Sequence, residues 1–276
     1  MKKERIDVLL VERGLSETRE KAKRSIMAGL VYSGSERLDK PGLKIDIEAP
    51  LAVKGNEMPY VSRGGLKLEK AIKAFDLELE GKIVLDIGAS TGGFTDCALQ
   101  NGAKFVYALD VGYNQLAWKI RQDERVAVME RTNFRYVKRE DLQFGLPEFA
   151  TIDVSFISLK LILPVLKTIL KPGGEVMALI KPQFEAGRAD VGKKGIVRDP
   201  VIHERVIGEI IRFSLHEGYN VLNLSYSPIT GGEGNIEFLV HLKTEAETAE
   251  RPFQEEKIAE VVTEAHQLFK KTDADE

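Results

Sequence analysis

The chain has 276 residues, 43% hydrophobic and 30% charged, with 40 Lys+Arg against 43 Asp+Glu and a net charge of −3. That length holds one large domain and one small one with ample core, and a single cysteine, Cys97, excludes an internal disulfide framework or a multi-cysteine zinc site. No run approaches the ~18 apolar residues that span a bilayer, and Met1 to Asp7 lacks a signal-peptide core, so a cytoplasmic protein is expected. Charge is uneven: residues 1–60 carry 12 basic against 10 acidic groups, and residues 245–276 carry 4 against 10. Without its acidic tail the chain is slightly positive.

Ile6, Leu9 and Leu10 recur at helical spacing, and Gly14 stops that first helix. A second helix follows, with Ser16 as the candidate N-cap and Arg19, Lys21, Lys23 and Arg24 in its first two turns. Met27 to Gly34 reads as helix into strand into turn, and Pro41-Gly42 as a turn before a strand from Leu43 to Ile47. This pattern resembles the small RNA-binding domain named after ribosomal protein S-four, on Arg5-Ile6-Asp7, Thr18-Arg19-x-x-Ala22, Ile26-x-x-Gly29-x-Val31 and Pro41-Gly42. The family more often has Ser-Arg in place of Thr18-Arg19 and Val-Asn-Gly in place of Tyr32-Ser33-Gly34, departures that bear on the details of RNA contact. The resemblance implies that the second helix meets the phosphate backbone, with Arg5, Arg19, Lys23 and Arg24 as RNA-binding candidates. Without it, four basic residues interleaved with Glu17 and Glu20 read as a solvated face.

Breaker residues from Gly55 to Tyr60 divide the chain into a domain over 1–58, a linker over 59–66, a main domain over 67–245 and an acidic amphipathic helix within 246–276. From Val61 a helix is expected, with Leu68, Ala71, Ile72 and Phe75 turned to a core. The apolar run Ile83, Val84, Leu85, Ile87 then reads as a buried strand, and the small residues after it turn the chain into a helix from about Thr95 to Gln100. The spacing Asp86-x-Gly88-x-x-x-Gly92-Gly93 misses the dinucleotide fingerprint, and no Gly-Lys-Ser/Thr follows. A carboxylate at this turn would repel a phosphate and suits a cation. S-adenosylmethionine carries an ammonium and a sulfonium but no phosphate, and the loop resembles the first motif of the Rossmann-like methyltransferases.

Candidate cofactor-binding residues are therefore Asp86, Gly88, Ala89, Ser90, Gly92, Gly93 and Phe94. Asp110 and Val111 join them at the end of the next strand, Phe105 to Leu109, where an acid can accept ribose hydroxyls. Trp118 is read as core on the following helix. Asn133, after a third strand, stands where polar residues could bracket an adenine, or simply caps a loop. The fourth and fifth strands end at Asp153, also a cofactor candidate, and Lys181. A helix from Val201 to Glu217 leads to strands Val221 to Ser225 and Ile236 to Leu242, too close together for a crossover helix and hence antiparallel. An amphipathic helix with Ile258, Val261, Val262, Ala265, Leu268 and Phe269 on one face closes the chain. The fold class expected is α/β: a mostly parallel Rossmann-like methyltransferase sheet with an antiparallel last strand, behind a small α+β domain.

Lys67, Asp153, Lys181 and Glu237 supply two lysines and two carboxylates for proton transfer. A lysine acts as a base only when its pKa falls, through desolvation or a neighbouring cation. Lys181 with Lys67 opposite meets that condition, and Asp153 and Glu237 could orient both ammonium groups. Taken singly, each of the four reads as an ordinary surface or ion-paired residue. Glu233 is a rival for the fourth place, disfavoured because Glu237 lies within the strand pattern.

In order along the chain, Ser62-Arg63-x-x-x-Lys67-Leu68, the loop from Asp86 to Gly93, Asp153, Lys181 and Glu237-x-Leu239-Val240 resemble the Lys-Asp-Lys-Glu tetrad of FtsJ-like ribose 2′-O-methyltransferases. With the N-terminal module and the string from Ile180 to Arg188, residues 5–243 resemble the TlyA (hemolysin A) family. The resemblance implies methylation of cytidine 2′-hydroxyls in ribosomal RNA or ribosomal subunits with S-adenosylmethionine, and adds Arg63 to the RNA-binding candidates. A non-catalytic assembly factor would not need Asp153 and Lys181. A pore-forming hemolysin would need a secretion route and a membrane-active segment, neither of which is found. A nicotinamide dehydrogenase would want the dinucleotide fingerprint. DNA or protein methylation, oligomeric state and the role of the tail stay open.

Overall fold

The computed structural model describes residues 3–27, 29–54, 58–244 and 253–272. The chain divides into two compact units, Met1–Pro59 and Tyr60–Glu276.

The first unit runs β1 (Lys3–Arg5), α1 (Ile6–Glu12), α2 (Arg19–Met27), β2 (Val31–Ser33), β3 (Glu36–Leu38), β4 (Lys44–Asp46) and β5 (Ala52–Val53). β1 pairs antiparallel with β4, and β2 lies between β3 and β5. The helices bury Ile6, Leu10, Ala22 and Ile26 against Val31 and Leu38. Helix α2 begins three residues after the expected cap: the Thr18 hydroxyl, not that of Ser16, accepts the Lys21 N–H at 3.2 Å.

The second unit continues with α3 (Gly65–Phe75), β6 (Ile83–Ile87), α4 (Gly93–Gln100), β7 (Phe105–Leu109), α5 (Trp118–Arg121) and β8 (Val126–Met129). It goes on through β9 (Phe149–Ile152), α6 (Leu163–Ile169), β10 (Glu175–Ile180), α7 (Pro182–Glu185), α8 (Pro200–His216), β11 (Tyr219–Tyr226), β12 (Phe238–Thr244) and α9 (Glu256–Thr272). Seven strands form one sheet in the order β11-β12-β10-β9-β6-β7-β8. β12 alone runs against its neighbours, pairing antiparallel with both β10 and β11.

Alternate residues of each strand feed opposite faces, as strand geometry requires. Leu85 and Ile87, Val176 and Ala178, and Phe238 and Val240 join one core with α6, α8 and α9, whereas Val84, Met177 and Leu239 join another with α3 and α4. Cys97 is buried in the second of these. Trp118, expected in the core, is 69% exposed. Helix α5 has only four residues, and Ile120 takes its inward position; two residues apart, the indole falls on another face.

Residues 61–64, expected to begin a helix, instead form turns ahead of α3. The Tyr60 ring lies where a Cβ on Gly65 would sit, 2.4 Å away, so the helix starts at a residue with no side chain. No helix among the described residues is long and apolar enough to cross a membrane.

Candidate active site

The carboxyl ends of the parallel strands share one edge of the sheet. β12, running the other way, brings its N-terminal side to that same edge. Asp153 follows β9, Lys181 follows β10, and Glu237 immediately precedes β12. Lys67 reaches them from the first turn of α3.

The four side chains alternate in charge around a ring. Lys67 Nζ lies 3.2 Å from Asp153 Oδ2 and 2.7 Å from Glu237 Oε2. Lys181 Nζ lies 2.5 Å from Asp153 Oδ1 and 4.0 Å from Glu237 Oε1. Lys67 is 7% exposed and Glu237 2%. Burial works against the Lys67 ammonium, but the Asp153 and Glu237 carboxylates outweigh it and hold the group above its ordinary lysine value. Burial likewise opposes the Asp153 carboxylate, and the two lysines overcome it, holding Asp153 below its ordinary value. Among the sequence candidates for the fourth member, Glu237 is in the ring. Glu233 is exposed, on a separate turn.

A pocket of about 270 Å³ opens on this ring, lined by Lys67, Asp153, Lys181 and Glu237, by Gly88, Ala89, Ser90, Gly93 and Phe94 of the glycine loop, and by Arg63. The loop and Asp153 are locked together: Asp153 N–H donates to the Ile87 carbonyl at 3.0 Å, and a Cβ on Gly88 would come within 2.4 Å of the Asp153 carbonyl oxygen. With φ at +87°, Gly88 meets both the steric and the conformational demand.

Asp86 is not at the pocket surface. It is fully buried beneath the loop, accepting from Thr95 Oγ1 at 2.6 Å and Thr151 Oγ1 at 3.0 Å, and burial raises it to about 6. The expectation of direct cofactor contact is thereby corrected: this acid ties β6 to α4 and β9. Asp110 stands differently. Its Oδ2 accepts the Ser90 N–H at 2.8 Å and its Oδ1 the Gly112 N–H at 2.7 Å. Each carboxylate oxygen has a second lone pair to offer. Gly92, Asp110, Val111 and Asn133 do not line the catalytic pocket. Asn133 caps a short turn by accepting the Arg135 N–H at 3.1 Å, and Val111 projects from the surface. The backbone nevertheless joins the second and third strand ends, Thr132 N–H donating to the Asp110 carbonyl at 3.0 Å.

Three contributors lacked an assigned role in the sequence. Ser155 Oγ is 3.4 Å from Lys181 Nζ, and Ser62 lines the pocket. Gln183 Nε2 donates to Glu237 Oε1 at 3.3 Å, while its own Oε1 is buried without a hydrogen-bond partner among the described residues. Ser155 and Gln183 each lie two residues beyond a ring member at the carboxyl edge of the sheet, a position that could have singled them out. Beside the ring, Phe156 is 90% exposed with φ at +63°, and its ring centroid is 4.8 Å from that of Phe184.

In the first unit, Arg5 and Arg19 both bind the buried Asp7, at 2.9 Å each, and the Arg5 hydrogen bond chiefly holds that acid down at about 2. Both guanidiniums remain partly exposed. Lys23 pairs with Glu20 at 2.7 Å, and Arg24 is exposed.

The FtsJ-like methyltransferase model matches residues 60–244, and the S4 domain model matches residues 4–49. A candidate rRNA methyltransferase of Bacillus subtilis (strain 168), YqxC, is 68% identical over 275 residues, 99% of this chain and 98% of that protein. The 16S/23S rRNA (cytidine-2'-O)-methyltransferase TlyA of Mycobacterium tuberculosis (strain CDC 1551 / Oshkosh) is 40% identical over 246 residues, 89% of this chain and 91% of that one. A solved structure of a hemolysin candidate from Streptococcus thermophilus aligns with a TM-score of 0.78 at 57% identity, covering 99% of both chains. With an S4 domain preceding a methyltransferase domain in the sequence, and relatives that align over most of the chain, the chain belongs to the TlyA (hemolysin A) family of FtsJ-like methyltransferases.

Proposed function

We propose that this protein transfers a methyl group from S-adenosylmethionine to a ribose 2′-hydroxyl of ribosomal RNA, at a cytidine as in its named relatives. The observation that carries the reading is the alternating ring of Lys67, Asp153, Lys181 and Glu237 opening on the glycine loop. The residues present suit the cofactor. Asp110 has open lone pairs for ribose hydroxyls, the loop residues Gly88, Ala89 and Ser90 border the pocket with Asp153, and Phe94 adds apolar surface. When bound, S-adenosylmethionine supplies a methyl carbon made electrophilic by its sulfonium.

The protein's own part is to hold the hydroxyl and take its proton. With the cofactor bound, its sulfonium would leave as a neutral thioether when the hydroxyl oxygen takes the methyl group, and the role of Lys181 Nζ would be to receive the hydroxyl proton. Lys181 suits this role because it has one short carboxylate contact where Lys67 has two. Lys67, held between the Asp153 and Glu237 carboxylates, remains an ammonium. Asp153 and Glu237 orient both amines, and Gln183 steadies Glu237. In the first unit Arg5, Arg19, Lys23 and Arg24 are the residues we assign to the RNA backbone, which holds the substrate without reading its sequence. A ribosomal substrate sets the protein in the cytoplasm.

The test is incubation with labelled S-adenosylmethionine and unmodified bacterial ribosomal subunits, beside Lys181→Ala and a deoxyribose competitor. Label recovered as alkali-stable 2′-O-methyl nucleotide, at least 100-fold reduced in the variant, is expected. Label that survives Lys181→Ala overturns the assignment of the base. No label on any subunit, with RNA still bound, favours a non-catalytic assembly factor instead.

A further inference from the structure

Beside the catalytic pocket lies a larger groove of about 880 Å³, within the range of small-molecule and cofactor sites. Arg63, Ile229 and Thr230 line both, so the two cavities adjoin across these residues. Its remaining walls come from the segment ahead of α8, from the connection between β11 and β12, and from the C-terminal helix α9, which lies beyond the matched methyltransferase region. The charged groups are unequal: Arg63, Arg198 and Lys270 are exposed and form no ion pair among the described residues, against a single acid, Glu233.

The walls are built rather than incidental. Helix α9 buries Ile258, Val261, Val262 and Ala265 in the core shared with α8 and β11. That docking turns His266, Phe269 and Lys270, spaced three and four apart on one helical face, toward the groove. The fully buried His203 sits 3.1 Å from the Val197 carbonyl through Nε2 and 3.0 Å from His266 Nε2 through Nδ1. Asn235 Oδ1 accepts the Val197 N–H, and Asn235 Nδ2 donates to the carbonyls of Gly195 and Gly232. One hydrogen-bonded network therefore sets Arg198, the turn carrying Glu233, and α9. The acidic side chains that make the tail negative, Glu260 and Glu264 among them, are absent from the groove lining.

We propose that this groove holds the single-stranded RNA flanking the target nucleotide, with Arg198 and Lys270 on its phosphates and the Phe269 ring as an apolar floor. The proposal rests on the function given above and deepens it, because a nucleotide whose ribose reaches Lys181 has neighbours that must leave the pocket somewhere. Phosphodiesters match three cations, unpaired among the described residues, in a groove continuous with the site, and each phosphate contact releases counterions on binding.

The experiment compares the full chain with Arg198→Ala, Lys270→Ala and, as a control outside the groove, Lys104→Ala. Equilibrium binding of a single-stranded RNA is measured across 50–200 mM salt, together with KM for ribosomal subunits, cofactor affinity and thermal stability. Each groove variant is expected to lower the salt slope by about 0.7 and to raise KM about five-fold, with kcat, cofactor affinity and stability as in the parent. Lys104→Ala should match the parent throughout. Methyl transfer with parental slopes and KM in both groove variants overturns the groove and leaves the function standing. Slopes reduced in the groove variants, together with a parent that transfers no methyl, keep the groove and overturn the function.

Discussion

Replacing Lys67 by Met removes the ammonium that bridges two carboxylates. At 2.7 and 3.2 Å, its attractions to Glu237 and Asp153 amount to about 6 and about 5 kcal/mol at an effective dielectric of about 20. Most of that is offset by the cost of desolvating the ions. What the substitution exposes is the stranded partner: among the described residues Glu237, 2% exposed, keeps only Gln183 at 3.3 Å and Lys181 at 4.0 Å. Breaking a buried pair from one side costs about 3–5 kcal/mol. We expect Lys67→Met to lose that much in urea unfolding of the second unit at pH 7, followed by circular dichroism. Lys67→Met/Glu237→Gln should regain at least about 1 kcal/mol, since it removes the uncompensated charge, while methyl transfer stays absent. A Lys67→Met protein within about 1 kcal/mol of the parent would refute the electrostatic reasoning. So would a double variant no more stable than the single one.

Two further outcomes follow from other residues. Burial, opposed by hydrogen bonds from Thr95 and Thr151, raises Asp86 from its ordinary 3.8 to about 6, so the folded state holds this proton more tightly than the unfolded chain. Its contribution to stability is therefore fully present below about pH 4 and falls as pH rises to about 6, by about 3 kcal/mol at 1.36 kcal/mol per pKa unit. Asp86→Asn should erase that slope in pH-dependent urea unfolding and leave the protein no less stable at pH 7; an unchanged slope would refute this. Phe156→Gly should gain about 1 kcal/mol of stability by relieving the left-handed backbone. If the exposed ring stacks on a base of the substrate, the same change raises KM for ribosomal subunits at least five-fold, matching the ~1–3 kcal/mol of aromatic–base stacking; an unchanged KM removes that role.

What was legible in the sequence was local. Apolar runs announced β6, β7, β9 and β10, because a strand buried on both faces has to be continuously hydrophobic. The short span between Ser225 and Ile236 announced an antiparallel pair, and the glycines after Asp86 marked a turn into a helix. Charged residues at strand ends gave the ring three of its members, Asp153, Lys181 and Glu237, since ligands in such a sheet bind at the carboxyl edge of its strands; Lys67 comes from a helix. Which contacts those residues make was a tertiary matter. Lys67 and Glu237 are 170 positions apart, and only the reversed β12 brings the second to the first. Asp86 was visible as an acid beside glycines, but its threonine partners come from α4 and β9, and they draw it under the loop. Trp118 stayed outside because a four-residue helix had one inward place and Ile120 occupied it. Periodicity records which residues seek burial; the packing of distant elements decides which of them obtain it, and which charges end up facing one another.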